Sequence, residues 1–312
     1  MTTRRSAGKS AGRRVPLAAL ATALVVVVSA SLPSRSSACA TCSCGDPTLS
    51  VVGAEMPFGG RVRLALDFRH RSDAIGELGR NRIELSEQKL EAKVAWSPIA
   101  ELLLMASVPY LRREVAYVNG GRSVFWRPGD VELLARWFFF REPSFAPRHL
   151  VSWTLGARLP TAPAEYDADG KALPLELQSG TGAFDFSTGP AYAGFAGDWS
   201  VYASILVLVP LPSRFDVSRK PSLRGTLAGQ WQPRTEFALR LSADGRLDST
   251  LEEAGQTDPD SGGFILFAGP DVVLSPWTDL LVVAGLRVPV ANALRGRHEE
   301  GIALSMSVVY DL

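Results

Sequence analysis

The chain is poor in the residues from which most active sites are built. It has three histidines and three cysteines in 312 residues. His70, His149 and His298 are scattered, and no His-x-x-x-His spacing or nucleophile elbow occurs. Ser/His/Asp chemistry therefore has no nominated residues, and the chain reads as a non-enzyme. Long apolar runs are also missing after residue 30. Stretches such as 204–211 soon meet Pro, Gly or a charge, far short of the roughly 20 apolar residues a spanning helix needs. Nor is there a basic excess to spend on phosphates. Six of the 33 basic residues (Arg4, Arg5, Lys9, Arg13, Arg14 and Arg35) fall in residues 1–38, which hold no acid. The remainder carries 27 basic against 32 acidic residues. That balance excludes nucleic acid as a partner held by phosphate neutralisation.

What is present begins with an export signal. A basic stretch to Arg14 precedes the apolar run from Leu17 to Ala30, and small residues surround Ala38 and Ala40. This is the order of a secretory signal peptide. Residues 1–38 are read as that peptide, with cleavage after Ala38 or Ala40. Residues 39–60 are read as a Cys-rich periplasmic segment.

From Arg61 onward the dominant pattern has period 2. Val62, Leu64, Leu66 and Phe68 oppose Arg61, Arg63, Ala65, Asp67 and Arg69. At the other end Ile302, Leu304, Met306, Val308, Tyr310 and Leu312 share one face. About twelve strands are predicted, near 61–70, 86–96, 101–112, 130–141, 149–159, 182–195, 198–209, 222–231, 235–245, 262–275, 278–288 and 300–312. Their length suits the roughly 9–11 residues of a tilted membrane strand better than the 5–6 of a globular one. Short links alternate with long polar ones, as expected for periplasmic turns and extracellular loops. Three short links share a design: Trp96-Ser-Pro98-Ile-Ala-Glu101, Trp231-Gln-Pro233-Arg-Thr-Glu236 and Leu274-Ser-Pro276-Trp-Thr-Asp279. Pro pre-sets a turn and cannot continue a ladder. The predicted fold is all-β: an antiparallel up-and-down transmembrane β-barrel over 61–312, in the outer membrane. Its partners are outer-membrane lipid, the assembly machinery that inserts such barrels and an unnamed solute.

A barrel in lipid sorts its faces by solvent. Val62, Leu64, Leu102, Leu104, Val108, Leu155, Ile205, Leu280, Val282, Leu304 and Val308 fall on the lipid parity. Arg63, Asp67, Glu91, Lys93, Glu132, Arg136, Arg158, Arg224, Arg240 and Arg287 fall on the lumen parity. Their mixed signs allow either a packed ion-pair network or the lining of a path. No resident cofactor is expected in this lumen. Cys39, Cys42 and Cys44 have C-x2-C-x-C spacing. Thiolates so placed suit Cu(I) or Zn(II), whereas an oxidising periplasm favours a disulfide with one thiol left over.

Several short stretches resemble one known family, the outer-membrane proteins grouped under the MetA pathway of phenol degradation. They are Gly129-Asp-Val-Glu-Leu133, Ala157-Arg-Leu-Pro-Thr161, Gly180-Thr-Gly-Ala-Phe-Asp-Phe186, Gly269-Pro-Asp-Val-Val273 and Gly285-Leu-Arg-Val-Pro-Val290. The resemblance spans residues 60–312 and leaves the cysteine cluster outside it. It implies a transporter for passive or facilitated passage of small, hydrophobic or aromatic solutes. The competing expectation is a metal-handling or structural outer-membrane protein that works through Cys39, Cys42 and Cys44.

Overall fold

The structure is a computed structural model that describes residues 59–76, 82–117, 120–143, 147–166, 170, 178–215, 217–253, 255–259, 261–296 and 298–312. The expected signal peptide, its cleavage sites and the three cysteines lie outside the described residues.

The described strands are β1 (Val62–Ile75), β2 (Ile83–Ile99), β3 (Leu102–Tyr117), β4 (Arg122–Pro128), β5 (Val131–Arg141), β6 (His149–Leu159), β7 (Asp185–Ala196), β8 (Trp199–Pro210), β9 (Val217–Arg219), β10 (Ser222–Arg234), β11 (Phe237–Asp248), β12 (Leu251–Glu253), β13 (Gln256–Thr257), β14 (Gly263–Trp277), β15 (Leu280–Leu294) and β16 (His298–Asp311). Twelve of them close into an antiparallel barrel in the order β2-β1-β16-β15-β14-β11-β10-β8-β7-β6-β5-β3, with β3 pairing back to β2. Each of the twelve expected segments coincides with one barrel strand. Closure leaves no sheet edge within the barrel, so its backbone N–H and C=O groups bond to neighbouring strands, as hydrocarbon requires.

The outer parity is apolar and open. Leu155 is 58% exposed and Leu241 66%, and Leu64, Leu66, Val108, Ile205, Leu227 and Leu304 share this exposure. Such a surface, continuous round a closed barrel, is what a bilayer covers and what water would not tolerate.

The three Pro turns are one device in three dimensions. Each ladder slips by a bulge across its Pro: between Trp96 and Ile99, Trp231 and Arg234, and Leu274 and Trp277. A two-residue loop follows, closed by the pairs Ile99↔Leu102, Arg234↔Phe237 and Trp277↔Leu280. The bulge absorbs the residue that cannot donate. A fourth turn, Gly197-Asp198, uses glycine at φ 59° instead, a backbone only glycine adopts cheaply. In all four, the carbonyl of the turn acid accepts an N–H from the next strand round: Phe138 to Glu101 (2.8 Å), Gln232 to Asp198 (2.8 Å), Ser275 to Glu236 (2.9 Å) and Asp311 to Asp279 (2.9 Å).

At the opposite rim the strands outrun the sequence expectation. β3 continues to Tyr117 and β15 to Leu294. The apolar alternation stops there, but the ladder does not, because outside lipid polar residues pair across it. Glu87 and Arg113 are directly opposite and ion-paired at 2.6 Å. Expected loop 113–129 contains β4, which pairs with the upper half of β3 while β5 takes the lower half. Expected loops 210–221 and 246–261 hold β9, β12 and β13, a small second sheet.

An arginine on the lipid face tests this assignment. Leu155→Arg, at mid-strand on β6, should cost about 2–4 kcal/mol. The cost would be read from urea titration of refolding into liposomes, with loss of the heat-modifiable gel band. A variant as stable as wild type would contradict the lipid-facing assignment.

Candidate functional site: the interior of the barrel

Inside the barrel, most strands pass from a mainly apolar zone near the short turns to a polar zone above, Arg63 on β1, Arg136 on β5 and Gln230 on β10 being polar groups of the lower zone. On β2 the inward residues run Ala95, Lys93, Glu91, Lys89, Glu87. On β11 they run Ala238, Arg240, Ser242, Asp244, Arg246. The lower zone is one contiguous belt to which all twelve barrel strands contribute, through Ala65, Ala95, Leu103, Met105, Leu134, Phe138, Leu150, Ala191, Ala193, Phe195, Tyr202, Ala228, Ala238, Val273, Leu281, Val283 and Val309.

Above it the charges form separate knots. Lys93 Nζ lies 2.7 Å from Asp67 and 3.3 Å from Glu91, while Lys89 holds Glu91 at 3.0 Å; Ser307 donates to Asp67. Arg158 Nε donates to Glu132 at 2.6 Å, and its Nη1 reaches Asp185 at 3.4 Å. Asp271 is the centre of a third knot. Arg287 grips it with two nitrogens at 2.9 and 3.0 Å, Arg240 Nε donates at 2.9 Å, and Ser242 donates at 3.1 Å. Arg287 Nε continues to Asp244 at 2.9 Å. A bidentate grip of this kind is among the strongest polar contacts. Gly285 makes it fit, because a Cβ there would lie 2.1 Å from Asp271 Oδ1.

The ten residues expected to line the lumen are thus distributed unevenly. Asp67, Glu91 and Lys93 meet in one knot, Glu132 and Arg158 in another, and Arg240 and Arg287 meet through Asp271. Arg63 sits at the barrel seam, where its Nη2 donates to Asp311 at 2.8 Å. Arg136 is fully buried among Thr154 (3.2 Å), the Tyr202 hydroxyl (3.4 Å) and the Tyr202 ring. Arg224 belongs to none of these knots.

Sequence reasoning missed Asp271, Asp244, Asp185, Glu87, Arg113, Arg246 and Glu300, although all lie on inward rows; Arg246 pairs with Glu300. It also missed Asp130, which fastens the outer mouth. Asp130 accepts from the backbone of Ala162 (3.0 Å) and Thr181 (2.7 Å) and from the Thr181 hydroxyl (3.2 Å); Val131 N donates to Thr161 Oγ1 at 2.9 Å. The motifs behind the family resemblance therefore converge on two places, the Asp130 clasp and the Asp271 knot. Among the described residues, no group of three or more His, Cys, Asp or Glu is placed to hold a metal ion.

No protein-family model matches the chain, and no curated protein matches it. Solved structures do. An outer membrane channel from Pseudomonas putida F1 superposes with TM-score 0.67 at 14% identity, over 84% of this chain and 98% of that one. The translocator domain of the autotransporter NalP from Neisseria meningitidis gives 0.46 at 12% identity, over 83% and 90%. The P. putida toluene transporter TodX gives 0.43 at 9% identity, over 82% and 90%. The first shows a shared fold: the chain is a twelve-stranded barrel of the outer-membrane type.

Asp271→Asn leaves Arg240 and Arg287 buried without their shared anion. The expected destabilisation is about 3–5 kcal/mol, measured by the same refolding titration. An unchanged midpoint would show that the knot adds nothing to the wall.

Proposed function

We propose that the chain is a channel for passive or facilitated passage of small hydrophobic or aromatic solutes across the outer membrane, of the kind grouped under the MetA pathway of phenol degradation. The observation that carries this reading is the apolar belt to which all twelve strands contribute. A path for hydrophilic solutes offers free hydrogen-bonding groups along its length; near the periplasmic turns this interior is mainly apolar, and the charges at that level, Arg63 on Asp311 and Arg136 on Thr154 and Tyr202, are already engaged. There a polar solute would shed water for few free partners, while an apolar one gains about 25 cal/mol for each Å² it buries. The ion-paired zone above supplies a rigid frame whose charges largely neutralise one another. Similarity in fold to an outer membrane channel agrees with the reading.

The test is uptake of the hydrophobic dye N-phenyl-1-naphthylamine by whole cells of a porin-depleted host. The wild-type protein should speed uptake several-fold over empty vector. Met105→Arg, a charge placed in the belt, should return uptake to background while keeping the heat-modifiable band of a folded barrel. Equal uptake with and without folded protein, or an unimpaired Met105→Arg variant, would overturn the proposal.

A further inference from the structure

Most cations on the inner wall are matched; among the described residues Arg69 and Arg224 stand above the belt without a partner, Arg69 exposed and Arg224 with its Nε buried. Arg224 lies on the inward row of β10 with Thr226 and Ala228. Among the described residues Arg224 makes no ion pair, and its Nε is buried without a hydrogen-bond partner. Across one ladder it faces another cation, Arg246; across the other it faces Leu206, which is buried. Arg158 and Arg246 repel it, and the acids that attract it are Glu132 and Asp248. Those acids are engaged elsewhere, Glu132 by Arg158 and Asp248 by Arg246. Like charges directly opposed on a ladder are unfavourable, and so is a buried donor left unmade. The fold holds both at one point.

The surroundings say what would relieve them. Ala228, in the belt, lies four residues along β10, about 13 Å at roughly 3.3 Å per residue. Leu206, Ser204 and then Tyr202, also a belt residue, border the same route on β8, with Thr226 opposite Ser204. A single anionic group at Arg224 would satisfy the guanidinium, and an apolar body attached to it would lie down this route into the belt. A guanidinium prefers a planar two-oxygen acceptor. We propose that Arg224 is a binding site for the carboxylate of an amphipathic monocarboxylate, held head at Arg224 and tail toward the belt. This rests on the channel reading above and narrows its substrate class from neutral hydrophobes to organic acids with an apolar body.

The test uses the full protein in lipid nanodiscs, titrated calorimetrically with octanoate and with octan-1-ol, and with phenylacetate and 2-phenylethanol, empty nanodiscs serving as blanks. In the pair that matches the natural source, aliphatic or aromatic, the acid should bind more tightly than its alcohol. Arg224→Gln should weaken the acid roughly tenfold to hundredfold, the worth of a charge-assisted hydrogen bond. It should leave the alcohol unchanged, and Arg224→Lys should recover part of the loss. Equal affinity for acid and alcohol in both pairs, or undiminished acid binding by Arg224→Gln in a folded barrel, would overturn the assignment while leaving the channel reading intact. Binding of neither acid nor alcohol would overturn both.

Discussion

The ladder between the first and last barrel strands is the contact on which everything else depends. A sheet that does not close leaves two rows of unpaired backbone groups facing hydrocarbon, each costing several kcal/mol. Here β1 pairs with β16 from Arg63↔Asp311 up to Ile75↔His298, and Leu312 N donates to Val62 O at 2.9 Å. Arg61 and Arg63 both grip Asp311 across this seam. The side-chain pairs fix register where a slip of one residue would exchange the lipid and lumen faces. Once the ring is closed in that register, the period-2 alternation has a fixed meaning all the way round.

Closure also explains why the interior is built from ion pairs. Charges cannot face lipid, so those the strands carry turn inward, into a space partly closed to water. Most then find an opposite charge there. Asp271 meets two arginines and a serine, Glu87 meets Arg71 and Arg113, and Asp67 and Glu91 share Lys93. A buried pair is weak evidence of stability in itself, since desolvation offsets its attraction. Its value here is positional. Cross-links such as Arg246 to Glu300, which reach past intervening strands, hold the wall at a set shape and leave the belt below as the place where an apolar solute gains most.

How much of this was legible in the sequence follows from where each residue sits relative to the bilayer. Within the apolar span only one parity tolerates charge, so Leu64, Leu66 and Phe68 against Arg63, Asp67 and Arg69 announced strand and face together. Beyond the span that constraint lapses. The upper ends of β2, β3 and β15 and the whole of β4 therefore looked like polar loop. The belt was hidden for the opposite reason. In Trp137-Phe138-Phe139-Phe140 both parities are apolar, and the alternation vanishes. The structure shows why: Trp137 and Phe139 face outward while Phe138 is buried in the belt. Loss of alternation there marked a place where inside and outside share a chemistry.

The cations were easier to nominate than their partners, and the reason bears on function. Arg240 and Arg287 stand out on any inward row, but nothing local connects them to Asp271 on β14 or to each other. Those contacts exist only after β11, β14 and β15 become neighbours. The same holds in reverse for Arg224. In the sequence it is one arginine among ten lumen candidates, equivalent to Arg240 sixteen residues later. Only the assembled barrel separates them, because Arg240 has Asp271 beside it on the next strand and Arg224 has Arg246. A wall that neutralises most of its charges would gain stability from an acid near Arg224. Keeping a cation there, beside a second cation and above an apolar belt, is a cost that a structural role does not offset, and that an anionic ligand does.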